Sequence, residues 1–289
     1  MFPAGFTYQR ADSVADAVRL LRKTEGAKII AGGHTLIPLM KLRLVRPATL
    51  IDIGRIAELK GVTVSNGTVT IGALTTHATL ASSADVRRAA PLLAEAASVV
   101  GDPAVRNRGT IGGNVVHADP GSDLPTALTA LGATFNVQRA RSTQAVPVSR
   151  FFKAFLETAV GQNEVLVSVE VPAAQPGQGA GYAKMFHPAS RYALVSAAAV
   201  LTVRGGQCTA ASVAVGGLVP TARRAAAVER ALAGKPLTTQ NIADAARRVT
   251  ENLGDNLIGD LHASAEYRRA MAIVYVQRAL TGAAGRAGR

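Results

Sequence analysis

Two segments with paired glycines constrain the fold of this chain more than any other feature. Residues 29–43, IIAGGHTLIPLMKLR, place paired glycines, a histidine and a threonine between a β-branched apolar run and an amphipathic segment. Residues 106–125, RNRGTIGGNVVHADPGSDLP, again contain paired glycines followed by a polar side chain. Glycine tolerates positive φ, so such a turn can direct several consecutive N–H groups into one concavity that binds phosphate. The two loops together predict a large ligand whose pyrophosphate is held from two sides.

Each loop taken alone has a simpler interpretation, because a lone Gly-Gly pair is more often an ordinary tight turn. Neither segment contains G-x-x-x-x-G-K-[ST], and GTIGGN lacks the G-x-G-x-x-G spacing of a Rossmann dinucleotide turn. An ATPase and a plain NAD-binding domain are therefore disfavoured.

The residues around the loops predict their local structure. Ser13 is placed to cap a helix, AKII predicts a short buried strand, and Thr35 is placed to cap the helix after the first loop. Near the second loop, Asp123 is expected to be the N-cap of a helix with Pro125 just inside it. Each loop therefore leads into a helix.

The rest of the chain indicates an α+β protein. Apolar and polar residues alternate between Ala133 and Pro172, and three strands followed by three helices are expected beyond PAAQPGQGAG, which reads as a linker. Strands grouped before helices argue against a doubly wound sheet. We expect a first domain over residues 1–176, in two lobes of about 1–55 and 56–176, a second over 177–282, and a disordered tail over 283–289.

Charge and cysteine content narrow the classes of function. The formal charge is +13, but the arginines are scattered and aromatics make up only 4% of residues, which favours a basic surface or an acidic docking partner over nucleic acid. The lone Cys208 cannot build a disulfide, zinc site or iron–sulfur cluster, and His77, His117, His187 and His262 show no metal-ligand spacing. Without a recognisable secretory leader or membrane span, a cytoplasmic protein is expected.

The ordered motifs resemble a known family. AGGHTLIPLMKLR, VGDPAVRNRGTIGGNVVHADPGSDLP and YAKMFHPASRYALVSAAAV are similar to successive signatures of the medium, FAD-binding subunit of molybdenum hydroxylases. This group contains carbon monoxide dehydrogenase and bacterial xanthine dehydrogenase. The opening FTYQRADSVADAVRLL and the close AEYRRAMAIVYVQRAL fit as well, so the resemblance runs from end to end.

The resemblance implies a two-lobed FAD-binding fold of the vanillyl-alcohol-oxidase type, followed by a small sheet covered by helices. By motif, it implies two pyrophosphate loops, a hydrogen-bonding aspartate within the FAD site, and two residues near the isoalloxazine, of which the tyrosine would stack on or shield the ring. The implied cofactor-binding residues are Ala31, Gly32, Gly33, His34 and Thr35 in the first loop, Thr110, Ile111, Gly112, Gly113 and Asn114 in the second, then Asp123, Lys184 and Tyr192.

The resemblance also implies partners. FAD would accept electrons from iron–sulfur clusters in a small subunit, and those electrons would originate at a molybdenum cofactor in a large subunit. The complex would be a heterohexamer, a dimer of heterotrimers, and reduced flavin would pass electrons to NAD or a quinone. No residue of this chain would act as a catalytic acid or base. The substrate of the large subunit stays open among carbon monoxide, aldehydes, purines and other heterocycles.

Two alternatives remain at this stage. One is a self-sufficient flavin oxidase or dehydrogenase of the same fold, with His34 as a point of covalent attachment; the other is a basic nucleotide-binding scaffold without redox chemistry.

The sequence departs from the family pattern at two places. Thr35 replaces a frequent serine, and FHPASRY replaces a basic stretch that leads to an aspartate. The second departure leaves the contacts near the flavin ring, and so the electron acceptor, open.

Overall fold

The first lobe is a small parallel sheet with two helices. In the computed structural model, which describes residues 1–288, its strands are ordered β1-β3-β2. The Ser13 hydroxyl accepts a hydrogen bond from the Asp16 amide at 3.1 Å, which confirms the predicted cap of α1. Thr35 precedes α2, but its side chain makes no capping bond. The elements are β1 (Thr7–Arg10), α1 (Val14–Lys23), β2 (Lys28–Ile30), α2 (Leu36–Lys41) and β3 (Thr49–Asp52).

The second lobe is an antiparallel sheet packed against short helices. Its five main strands are ordered β4-β5-β10-β6-β7, and β8 pairs separately with β9. The strands are β4 (Val62–Ser65), β5 (Thr68–Gly72), β6 (Thr134–Gln138), β7 (Thr143–Pro147), β8 (Phe152–Ala154), β9 (Glu157–Thr158) and β10 (Val165–Pro172). The helices are α3 (His77–Ser82), α4 (Ala84–Ala89), α5 (Pro91–Ser98), α6 (Pro103–Arg108), α7 (Ile111–His117), α8 (Asp123–Leu131) and α9 (Val148–Phe151).

The start of α8 corrects one prediction. Asp123 is the first residue of the helix, and the N-cap is Ser122. The reason is that the Asp123 carboxylate is turned towards the C-terminal domain, where two side chains donate hydrogen bonds to it. The helix therefore begins one residue earlier than predicted, and the capping role of Asp123 is wrong.

The C-terminal domain is an antiparallel sheet covered on both faces. Its strands are ordered β11-β12-β13-β14. Ala198 and Ala214 face the core of the second lobe, whereas Ala197, Ala199 and Leu201 face a separate core beneath the helices. Burial on both faces explains the long apolar run of β12. The elements are β11 (Gln178–Phe186), β12 (Ala193–Arg204), β13 (Gln207–Gly216), β14 (Arg223–Arg224), α10 (Ala226–Leu232), α11 (Thr239–Arg247) and α12 (Ala265–Ala284).

The expected linker is shorter than PAAQPGQGAG. Strand β11 begins at Gln178, so only residues 173–177 connect the two sheets. A Cβ on Gly179 would overlap the carbonyl oxygen of Ala283, and one on Gly181 would overlap that of Ala279. These glycines allow the backbone of α12 to lie directly on β11, and they are not a sign of a flexible connection.

The chain terminus also differs from the expected disordered tail. Helix α12 continues to Ala284. Arg286 then donates hydrogen bonds to the Glu95 carboxylate and to the carbonyl oxygen of Ala180, both at 2.6 Å. The described part of the tail is therefore attached to both domains, while Arg289 lies outside the described residues. Across residues 1–288, no helix is both long and apolar enough to cross a membrane.

Candidate functional site: a cleft between the lobes

One cleft collects most of the predicted site residues. It has a volume of about 560 Å³ and is lined by both glycine loops and by the turn between β11 and β12. Of the predicted residues, Ile111 and Lys184 are the ones that do not line it. Those that do are Ala31, Gly32, Gly33, His34, Thr35, Thr110, Gly112, Gly113, Asn114, Asp123 and Tyr192.

The first loop has the form predicted for anion binding. Gly33 has a φ of 77°, a left-handed conformation that favours glycine. The N–H groups of Gly32, Gly33, His34 and Thr35 donate to no acceptor within residues 1–288. Four consecutive free donors beside a cleft form a concavity of partial positive charge. The first loop therefore has a backbone arrangement suited to binding an anion.

The two loops are in direct backbone contact. A Cβ placed on Gly32 would overlap the carbonyl oxygen of Arg108, next to the second glycine motif. A Cβ on Gly33 would lie 2.8 Å from the Ile37 side chain. Gly32 is thus required because the Arg108 backbone leaves no room for a side chain, and Gly33 is required because its φ is positive.

The second loop differs from the predicted phosphate cradle. The N–H of Ile111 donates to the Thr75 carbonyl at 3.0 Å, and that of Gly112 donates to the Ala73 carbonyl at 2.8 Å. The N–H of Gly113 donates to the Thr110 hydroxyl at 3.1 Å. These donors are committed within the protein, so they do not form a second concavity. Gly112 instead lets α7 lie against the end of β5, since an added Cβ would lie 2.7 Å from the Ala73 carbonyl oxygen.

The side chains of the second motif separate into core and cleft residues. Ile111 is fully buried in the core of the second lobe. Asn114 lines the cleft, and its amide nitrogen donates to the Ser122 hydroxyl at 3.2 Å. Its buried Oδ1 has no hydrogen-bond partner within residues 1–288. An unpaired buried acceptor costs free energy unless a ligand supplies a donor, such as a hydroxyl.

Lys184 does not line the cleft itself but contacts Asp123, which does. Its ammonium donates to the Asp123 carboxylate at 2.8 Å and to the Val99 carbonyl at 3.0 Å. The Tyr182 hydroxyl donates to the other Asp123 oxygen at 2.7 Å. Burial raises the pKa of Asp123, and the charge of Lys184 partly offsets that rise. This buried cluster joins the second lobe to the C-terminal domain, and its Asp123 also lines the cleft.

Tyr192 closes the other side of the cleft. Its ring packs beside Gly121, where an added Cβ would lie 3.1 Å from the ring carbon Cδ1. Burial raises the pKa of the Tyr192 phenol, and the nearby Asp119 carboxylate adds to the rise. Tyr192 is 41% exposed, so part of the residue is accessible to a ligand. Ser190 and Arg191 line the cleft on the same turn.

His77 is a cleft residue that sequence reasoning missed as a site residue. Its side chain is buried, and its Nδ1 has no partner within residues 1–288. The pKa of His77 is lowered to about 4, chiefly by burial, with smaller contributions from the charges of Arg106 and His34. Its position in GALTTH, after a predicted strand, was the available signal.

We expect His77 to make the apoprotein sensitive to acid. Because the folded-state pKa lies below the ordinary value of 6.5, the unfolded chain takes up a proton first as the pH falls. The unfolding free energy should therefore fall by about 3 kcal/mol between pH 7 and pH 4 from this residue, at 1.36 kcal/mol per pKa unit. Urea denaturation of the wild type and His77→Gln at both pH values measures the contribution. A stability difference that does not change with pH would contradict it.

The cleft fits a dinucleotide such as FAD. The free N–H donors of the first loop suit a pyrophosphate, Asn114 offers an unpaired acceptor, and Tyr192 offers a partly exposed aromatic face. Within the described residues, no group of three or more His, Cys, Asp or Glu is arranged to hold a metal ion. Fold and site together define a two-domain flavin-binding protein.

Comparison with known proteins identifies the family. Residues 4–174 match the FAD-binding domain of molybdopterin dehydrogenases, and residues 180–283 match the C-terminal domain of carbon monoxide dehydrogenase flavoproteins. The chain therefore belongs to the FAD-binding medium subunits of carbon monoxide dehydrogenase-type molybdenum hydroxylases, which are oxidoreductases. The predicted α+β fold and FAD cofactor are confirmed.

The relatives match along almost the whole chain. The carbon monoxide dehydrogenase medium chain of Hydrogenophaga pseudoflava is 40% identical over 287 residues, covering 98% of both chains. A subunit of the 6-hydroxypseudooxynicotine dehydrogenase complex of Paenarthrobacter nicotinovorans is 37% identical, covering 99% of this chain and 97% of its own. A solved Hydrogenophaga pseudoflava carbon monoxide dehydrogenase that lacks the Mo-pyranopterin moiety superposes with a TM-score of 0.95 at 41% identity, covering 99% of this chain and 100% of that one.

Proposed function

We propose that this chain is the electron-transfer subunit of a molybdenum hydroxylase. It works between the iron–sulfur clusters of a small partner subunit and an external electron acceptor, while substrate is hydroxylated in a large molybdopterin subunit. The expected assembly is a dimer of heterotrimers in the cytoplasm. The observation that carries the proposal is the single cleft that joins the free N–H groups of the first loop to Tyr192.

The residues of the cleft have separate tasks. The N–H groups of Gly32, Gly33, His34 and Thr35 would hold the pyrophosphate, with Thr110 and Asn114 on the facing side. Tyr192 would cover one face of the isoalloxazine ring. When bound, FAD supplies reversible one- and two-electron chemistry, so the protein needs only to bind the ring, orient it and set its potential. The ion pair between Asp123 and Lys184 would support this geometry by holding the two domains together.

The domain limits remain part of the proposal. We place the FAD-binding domain at residues 1–176 and the C-terminal domain at 177–282. The match of residues 4–174 to one family and 180–283 to another supports these limits, as does the short connection over 173–177. The flavin would then contact both domains, because the cleft is lined by the first domain and by the β11–β12 turn.

Tyr192→Ala tests the proposed function. We expect FAD to stay bound, since the variant removes the contact of the Tyr192 hydroxyl with the Thr35 side chain but keeps the N–H groups of the first loop. The lost aromatic stacking contact contributes about 1 kcal/mol, roughly fivefold in affinity. Flavin fluorescence should rise, and the reduction potential and the rate of reoxidation by the external acceptor should change. Tyr192→Phe should behave nearly as wild type, because it keeps the ring. If Tyr192→Ala lowers only thermal stability and leaves spectrum, potential and reoxidation unchanged, the proposed role of Tyr192 is wrong.

A further inference from the structure

The turn between β11 and β12 is built around one imidazole. This turn, residues 187–192, carries the departure from the family pattern. The Nδ1 atom of His187 accepts hydrogen bonds from the backbone N–H groups of Ala189 at 3.3 Å and Ser190 at 3.1 Å. The Ser190 hydroxyl lies 3.2 Å from the same atom. Backbone amides can only donate, so Nδ1 accepts and the ring proton is on Nε2.

The same turn fixes the backbone of Tyr192. The His187 N–H donates to the Tyr192 carbonyl, and the Arg191 N–H donates to the His187 carbonyl, both at 2.8 Å. The Tyr192 N–H donates to the Ser190 hydroxyl at 3.3 Å. Arg191 has a φ of 59°, a left-handed conformation that costs a non-glycine residue about 1–3 kcal/mol. The hydrogen bonds to His187 hold that strained residue in place.

A second imidazole packs against the turn. The rings of His187 and His262 are edge to face, with centroids 4.2 Å apart. The backbone N–H of His262 donates to the Asp260 carboxylate at 2.8 Å, and the other Asp260 oxygen pairs with the buried Arg268. Arg268 in turn donates to the Leu194 carbonyl at 2.6 Å. The His187 ring is thereby fixed from its own turn and from the segment that precedes α12.

The turn meets the cleft through Tyr192. The Ala193 N–H donates to the Gly121 carbonyl at 2.9 Å, which ties the end of the turn to the segment before α8. The Tyr192 ring lies beside Gly121 on the cleft wall. A shift of the turn would therefore move the ring relative to the cleft and relative to the Thr35 side chain, which the Tyr192 hydroxyl contacts.

We infer that His187 is a positioning residue for the flavin: its Nδ1, as a hydrogen-bond acceptor, sets the turn that holds Tyr192 at the cleft. This role rests on the proposed function, because it acts only through Tyr192. This role also explains the segment FHPASRY, because the His187 imidazole forms hydrogen bonds that shape the turn.

Two variants with amide side chains test whether the turn depends on the hydrogen-bond acceptor of His187 or on its ring. In His187→Asn the side-chain oxygen takes the place of Nδ1, whereas in His187→Gln it lies one bond further out, near the place of Nε2. We measure flavin fluorescence, potential and reoxidation rate in the FAD-loaded protein, beside Tyr192→Ala. His187→Asn should stay near wild type, and His187→Gln should reproduce at least half of each change caused by Tyr192→Ala. Adding Tyr192→Ala to His187→Gln should give no more change than Tyr192→Ala alone, because coupled residues are non-additive.

The outcomes distinguish the inference from the proposed function. If Tyr192→Ala alters the flavin but His187→Gln does not, the role of His187 is wrong and that of Tyr192 stands. If His187→Asn and His187→Gln alter the flavin equally, the acceptor argument is overturned. If Tyr192→Ala leaves the flavin unaltered, the proposed role of Tyr192 fails, and that of His187 fails with it. Thermal unfolding and FAD content of each variant identify a loss that comes from misfolding.

Discussion

Replacing Gly32 by alanine is expected to lower FAD affinity by roughly thirtyfold or more, equivalent to about 2 kcal/mol. The added methyl group would overlap the Arg108 carbonyl oxygen, which is backbone and cannot rotate away. The first loop must then move off the second, and its four free N–H groups lose their common direction. Since an anion-binding concavity depends on that alignment, binding should weaken far more than a single lost contact would suggest.

Fluorescence titration of the apoprotein with FAD measures the effect, and Gly26→Ala is the matched control. Gly26 belongs to the same lobe and has a φ of 68°, but an added Cβ would meet nothing within 4 Å. It should lose about 1 kcal/mol of stability and keep wild-type affinity. If a folded Gly32→Ala protein binds FAD as tightly as the wild type, the first loop is an ordinary turn.

Lys184→Met is expected to lower the unfolding free energy by about 3–5 kcal/mol. The substitution keeps most of the side-chain volume but leaves the Asp123 carboxylate buried without its cation, at the junction of the two domains. Arg247→Met is the matched control, since it removes an exposed cation from its ion pair with Asp244. The control should cost at most about 0.5 kcal/mol. Urea denaturation compares the two variants with the wild type.

The loss of unfolding free energy caused by Lys184→Met should become smaller as the pH falls. Burial already raises the pKa of Asp123, and removal of the offsetting Lys184 charge raises it further. A carboxyl group with a raised folded-state pKa takes up its proton in the folded protein before it does so in the unfolded chain, so the folded state gains stability as the pH falls. A deficit that stays constant or grows towards acid pH would show that the buried carboxylate is not its cause.

The sequence predicts the first loop well because its signals are local. A strand end, paired glycines and a helix start follow one another, and the positive φ of Gly33 and the free N–H groups are consequences of that short stretch. Motif order likewise predicts which residues converge on one cleft. Tyr192 could be placed there from its position at the start of an apolar strand.

The structure differs from the sequence predictions where distant segments of the chain come into contact. Gly112 looks like Gly33 in sequence, but the Ala73 carbonyl takes its N–H, and Ala73 lies far away along the chain. Lys184 is directed to Asp123, a partner that only the packing of the two domains supplies. The sequence does not distinguish a glycine that bends the chain from a glycine that makes room for a neighbouring segment. For this reason, the start of β11 was predicted to be part of a linker.

The contact between β11 and α12 also limits how this protein can diverge. Gly179 and Gly181 touch the helix through backbone atoms at Ala279 and Ala283, so no side chain is available to adjust when one partner changes. An inherited mutation that adds bulk at either glycine would have to be matched by a displacement of the entire helix. Strand and helix are therefore constrained as one unit, although nearly a hundred residues separate Gly181 from Ala279 along the chain.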